Sequence, residues 1–195
     1  MRAGVDWVQV RERALEGRAL LEHARALARA ARDAARARGG SVRVVVNRRA
    51  DVALAAGADG VHLGFDAITA AQARALLGDR ALVGVSCHAG DELRAAGPEA
   101  SYAQLAPIFA PRSKAATRPA LGLAALAAAC AASPLPVLAQ GGLDPERAAA
   151  AVAAGAAGVA VTGAILMAPD PGEAAAALRR ALDSTPRPGA PREAA

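Results

Sequence analysis

Short apolar runs alternate along this chain with longer segments whose apolar residues recur every three or four positions. The runs predict strands over Trp7–Arg11, Val42–Asn47, Gly60–Gly64, Leu82–Ser86, Tyr102–Ile108, Val137–Leu143 and Gly158–Ile165. The segments between them predict helices over 17–38, 50–56, 69–77, 91–96, 122–132, 144–154 and about 172–182. Gly39-Gly40 and Gly57 read as helix stops and Thr69 as an N-cap. Strands alternating with helices imply a parallel α/β architecture with right-handed crossovers. The expected fold is a TIM (β/α) barrel. A closed barrel of that kind has eight strands, so the pattern predicts that the first βα unit, before Trp7, is missing. A doubly wound open sheet is the alternative. Residues 1–185 read as one barrel domain, and the Pro- and Arg-rich stretch 186–195 as a disordered tail.

Hydrophobic residues make up 54% of the chain but aromatics only 2%, so the core must be aliphatic, as suits helices laid on a parallel sheet. The net charge of +5 does not imply nucleic acid, because the arginines are scattered over 18–38, 72–80 and 179–187 with almost no aromatics among them. The basic balance favours a phosphorylated small molecule instead. Cys87 and Cys130 are too few for a disulfide framework and read as reduced thiols, which points to a cytoplasmic protein. No apolar run approaches the roughly 20 residues that span a bilayer, so no membrane partner is expected.

Candidate chemistry gathers where strands are expected to end. Gly141, Gly142 and Gly163, the last preceded by Thr162, remove Cβ at two successive strand–helix turns, where backbone N–H groups can close around an anion. In (β/α) barrels a phosphate is often held by the last two such loops. Gln9, Arg11 and Arg13 alternate along the first strand and so share a face, and buried arginines there would need an anionic partner. His88, just past the fourth strand, suits either a proton shuttle or a structural role. His62, inside a strand, reads as a hydrogen-bonded interior ring, and His23 as surface. Cys87 reads as a small buried thiol rather than a nucleophile. Lys114 lies in the one long loop, as a lid residue or a solvated lysine.

Five segments in order resemble the thiamine phosphate synthase/TenI family: Val8–Arg13, Asn47–Leu54 running into Gly57–Gly64, Gly84–His88, Ala106–Lys114, and the two glycine turns. The resemblance covers about residues 4–182. It implies a phosphate-binding barrel of thiamine biosynthesis, usually a homodimer. It adds Asn47, Ser86, Ser113 and Lys114 to Gln9, Arg11, Arg13, Gly141, Gly142, Thr162 and Gly163 as substrate-binding positions.

The family has two branches. The synthase joins hydroxymethylpyrimidine pyrophosphate to thiazole phosphate and uses Mg²⁺ against the charge of the departing pyrophosphate. The TenI-type branch tautomerises a thiazole phosphate without a metal. Where the synthase pattern has Asn-Asp, this chain has Asn47-Arg48, and where it has Gly-Gln-Asp/Glu-Asp, this chain has Gly64-Phe65-Asp66-Ala67. Asp66 alone beside an arginine would make a poor Mg²⁺ site. Phe65 replaces a glutamine, Arg13 a lysine, and Pro111-Arg112-Ser113-Lys114 the Thr-x-Thr-Lys of the pyrimidine loop. These departures favour a metal-independent tautomerase with His88 as acid/base and no cofactor. The alternatives are a synthase with Mg²⁺, or a non-catalytic thiamine-pathway binder.

Overall fold

The computed structural model describes residues 4–110 and 118–187. Strands β1 (Trp7–Val10), β2 (Arg43–Asn47), β3 (Gly60–Leu63), β4 (Leu82–Cys87), β5 (Tyr102–Leu105), β6 (Val137–Gln140) and β7 (Gly158–Ala160) alternate with helices α1 (Gly17–Arg36), α2 (Ala50–Ala55), α3 (Ala70–Leu77), α4 (Gly90–Ala95), α5 (Gly122–Ala132) and α6 (Pro145–Ala153). Helices α7 (Gly163–Leu166) and α8 (Pro171–Asp183) follow β7. The sheet runs in sequential order, β1-β2-β3-β4-β5-β6-β7. A doubly wound sheet reverses its order at a switch point, so that alternative is excluded and the (β/α) barrel class holds.

Six predicted strands are shorter in the structure, β1, β2 and β3 by one residue each and β5, β6 and β7 by three or more. β5 stops at Leu105 rather than Ile108, because Pro107 has no N–H to give to a ladder. Only Gly158–Ala160 of the stretch ending at Ile165 is extended, and Gly163–Leu166 turns into α7.

The chain divides into two compact units, the first comprising residues 1–86 with 96–103. In it α1 buries Leu20, Ala24, Ala28, Ala31 and Ala35, spaced three to four apart as one helical stripe. Alanines on that stripe let the helix lie close to Val10, Val44, Val46, Val61 and Val83 of the strands, all in one buried cluster. Thr69 caps α3 in a capping box. Its hydroxyl accepts from Gln72 N–H at 3.2 Å, and the Gln72 side chain accepts from Thr69 N–H at 2.9 Å. The Asp59 carboxylate accepts from Val44 N–H at 2.7 Å and from Arg32 at 3.0 Å. Arg74 donates to the carbonyls of Gly78 (3.1 Å), Asp79 (3.0 Å), Ala81 (2.6 Å) and Glu99 (3.0 Å) and to the Ser101 hydroxyl at 3.1 Å.

The second unit comprises residues 87–95 and those from 104 onward. Asp144 and Asp170 cap α6 and α8, accepting from Arg147 N–H at 2.9 Å and Glu173 N–H at 3.0 Å, each with a proline at the start of the helix. Leu126, Val137, Ala139, Ala148, Ala151, Val152 and Leu178 form its buried interior.

On one face of the first unit Tyr102, 2% exposed, meets Trp7 edge to face at 4.9 Å. The ring fits because Gly84 has no side chain; a Cβ there would fall within 2.6 Å of Tyr102 Cε1 and closer still to Cζ and the hydroxyl oxygen. Gly84→Ala should therefore destabilise the protein by about 1–3 kcal/mol, the usual cost of an overfilled core, read as a lower urea midpoint. An unchanged midpoint would show that the ring moves freely.

Candidate active site

The polar groups of the first unit lie toward the carboxyl ends of β1, β2, β3 and β4. Gln9 donates from Nε2 to Asn47 Oδ1 at 3.1 Å, tying β1 to β2. In the register of these parallel strands Val10 pairs with Val46 and Asn47 with His62, which sets Arg11 level with Asn47. Arg11 and Arg13 both follow the end of β1 and are exposed, so they are not arginines buried along the strand face, and a place at the mouth is what remains of that expectation. The Arg11 guanidinium is nonetheless partly covered. Its pKa is lowered, first by that burial and then by the Arg13 charge.

His62 is the buried ring expected from its place inside a strand, 2% exposed. Its Nδ1 lies 3.2 Å from the Tyr102 hydroxyl and its Nε2 2.9 Å from Ser86 Oγ. Ser86, expected to face substrate, thus uses its hydroxyl on His62. Burial lowers the His62 pKa to about 4, with the Arg11 charge adding to the effect. Burial also raises the Tyr102 pKa. The ring is therefore neutral, and one nitrogen donates while the other accepts.

The sequence offers Arg48 only as the residue standing where a metal carboxylate is expected. It is the one non-glycine residue with positive φ (66°) among those described, and its guanidinium pairs with Asp66 at 3.0 Å. Its signal in the sequence was the asparagine before it, which fixes its place just past β2.

In the second unit His88 follows β4, and its backbone N–H donates to the Glu92 carboxylate at 2.5 Å. Its ring pKa is lowered by burial and by Arg118, against an opposing pull from Glu92. Cys87 is buried and its pKa pushed up to about 11, so it is a thiol and not a nucleophilic thiolate. Gly141 and Gly142 have φ of 101° and 61°. A Cβ on Gly142 would meet Phe109 Cβ at 2.8 Å and the Ala110 carbonyl oxygen closer still, so backbone packing alone demands glycine there. Arg147 covers the same turn, donating to the Gly142 carbonyl at 2.9 Å with its guanidinium 5.0 Å from the centre of the Phe109 ring. Thr162 is exposed and Gly163 begins α7. Ser113 and Lys114 lie outside the described residues.

The side chains present do not suit a divalent cation. Among the described residues no three His, Cys, Asp or Glu side chains come together as a ligand group. Near the strand ends Asp66 and Asp51 are each paired to a guanidinium, Glu12 accepts from Ala14 N–H at 2.8 Å, and the Asn47 side-chain oxygen accepts from Gln9. Also among the described residues, no helix is long and apolar enough to cross a membrane.

Parallel strands followed by helices, with polar and cationic groups at the carboxyl ends, define a (β/α) barrel protein. The family model described as thiamine monophosphate synthase matches residues 1–165. The chain belongs to that family. It is 44% identical over 171 residues to the thiamine-phosphate synthase of Laribacter hongkongensis, covering 88% of this chain and 78% of the relative. It is 49% identical over 146 residues to that of Anaeromyxobacter dehalogenans, covering 74% and 66%. The thiamine phosphate pyrophosphorylase of Pyrococcus furiosus superposes with a TM-score of 0.79 at 24% identity, over 94% of this chain and 86% of that one.

These findings correct the tautomerase reading. Relatives at 39–49% identity carry the name of the synthase, a transferase, and not of an isomerase. Likeness along the whole chain outweighs the departures at Arg48 and Ala67. With the isomerase reading gone, the acid/base role assigned to His88 loses its reaction.

The buried histidine makes stability depend on pH. Above 6.5, its ordinary pKa, the ring is neutral folded and unfolded alike, and stability is full. Below that value the unfolded chain takes up a proton that the native site refuses until about pH 4. Stability should therefore fall between these two values, by roughly 3 kcal/mol in all. Urea midpoints across this range should show the fall, and His62→Gln should flatten that part of it. An equal slope in the variant would assign the effect elsewhere.

Proposed function

We propose that the protein is a thiamine-phosphate synthase that joins hydroxymethylpyrimidine pyrophosphate to thiazole phosphate and releases diphosphate. The observation that carries this reading is the 44% identity to a synthase across 88% of the chain. The site is consistent with it. As the C–O bond to the diphosphate breaks, the electron pair leaves with the diphosphate oxygen, and negative charge accumulates there. Fixed cations aimed at that position lower the barrier. Arg11 and Arg13 stand next to one another past β1, and Arg11 has no acidic partner among the described residues. Gln9 and Asn47, joined at 3.1 Å, present a rigid amide pair beside them for the pyrimidine half. On this reading the thiazole phosphate rests against the backbone of Gly141, Gly142, Thr162 and Gly163. His88, in the same unit as the glycine turns, adds a further contact, with no proton transfer assigned to it. A cytoplasmic homodimer belongs to the same proposal.

Purified protein supplied with both substrates should form thiamine phosphate. Arg11→Ala should lower kcat/KM by about 10- to 100-fold, the loss of one charge-assisted contact. Absence of product, both with and without Mg²⁺, would overturn the reading, and an unaffected Arg11→Ala variant would remove that residue from it.

A further inference from the structure

Two neighbouring strand ends carry cations and a third carries an anion. Arg11 follows β1 at the level of Asn47, and Arg48 follows Asn47 at the end of β2. Asp66 lies three residues past the end of β3. The Arg48 backbone N–H donates to the His62 carbonyl at 2.8 Å, which pins the residue between β2 and β3. Its φ of 66° is a conformation that a side chain other than glycine adopts at a cost, and such strain collects at functional positions.

The Arg48–Asp66 pair is open to water, with the side chains 44% and 69% exposed. An exposed pair of this kind adds little stability, so Asp66 is an anion that a stronger one can displace. A diphosphate is stronger: it carries more charge and offers a guanidinium two parallel acceptors. Arg11, level with Asn47 on the neighbouring strand, brings a second cation to the end of β1. A divalent cation brought to the same position would meet one carboxylate already paired with a guanidinium, a poor site for it.

We infer that Arg48 supplies, as a fixed guanidinium, the positive charge against which this chain binds diphosphate, so that binding at the ends of β1 to β3 needs no divalent cation. The inference rests on the synthase reading for the identity of the anion. Asp66 is the placeholder that holds Arg48 in position until the diphosphate arrives.

Isothermal titration of the full chain with inorganic diphosphate, in EDTA and then in Mg²⁺, tests this. Binding in EDTA should be at least as tight as in Mg²⁺, because the metal competes for the free anion. Arg48→Gly keeps the positive φ without strain, so it should fold, as thermal unfolding would verify. It should weaken binding about 10- to 100-fold. Asp66→Asn should tighten binding by up to about fivefold, because the competing anion is gone; a merely structural arginine would not produce that gain. Binding that appears only with Mg²⁺, no binding in either condition, full affinity in Arg48→Gly, or weaker binding in Asp66→Asn would each overturn the inference. Product formed only with Mg²⁺ would sink this inference and leave the synthase reading standing. Diphosphate bound in EDTA without product would do the reverse.

Discussion

A neutral imidazole in an apolar interior is the constraint on which the first unit depends. Buried at 2% exposure, His62 would be costly with either nitrogen unpaired. Tyr102 and Ser86 satisfy both, and each is held in turn: Tyr102 by Trp7 and by the space over Gly84, Ser86 by its position in β4. The arrangement fixes three strands against one another. It also keeps a second positive charge out of the region behind Arg11, where an imidazolium would repel the guanidinium.

Helix limits with their own chemistry were legible in the sequence. Thr69 caps α3 as expected, and Gly57, with φ of 62°, ends α2. Strand ends were less so. The apolar run from Tyr102 to Ile108 hides the point where Pro107 withdraws a donor, and the run to Ile165 hides a turn of helix, because apolar residues suit both forms. The alternation that put Gln9, Arg11 and Arg13 on one face was extrapolated beyond β1, and periodicity says nothing once the strand has ended. His62 was legible as a buried ring, but its partners were not, since Ser86 and Tyr102 reach it only through the fold.

The class of reaction is hidden in the sequence for a different reason. A few substituted positions, Arg48 and Ala67 foremost, stand against a whole-chain resemblance. A carboxylate pair that holds a metal and an arginine that carries its own charge both place positive charge near a departing anion. Loss of the first therefore does not define a different reaction. The pairing of Arg48 with Asp66, visible only in three dimensions, makes the second arrangement concrete.

Arg74 carries a consequence of another sort. Its five acceptors are four backbone carbonyls, of Gly78, Asp79, Ala81 and Glu99, and one serine hydroxyl. A carbonyl is the same group whatever residue bears it. The two segments that Arg74 fastens can therefore drift in side-chain identity while their path is kept, and the burden of preserving that path falls on a single guanidinium. Evolution would find these loops permissive to substitution and intolerant of insertion, with one fixed letter among many free ones.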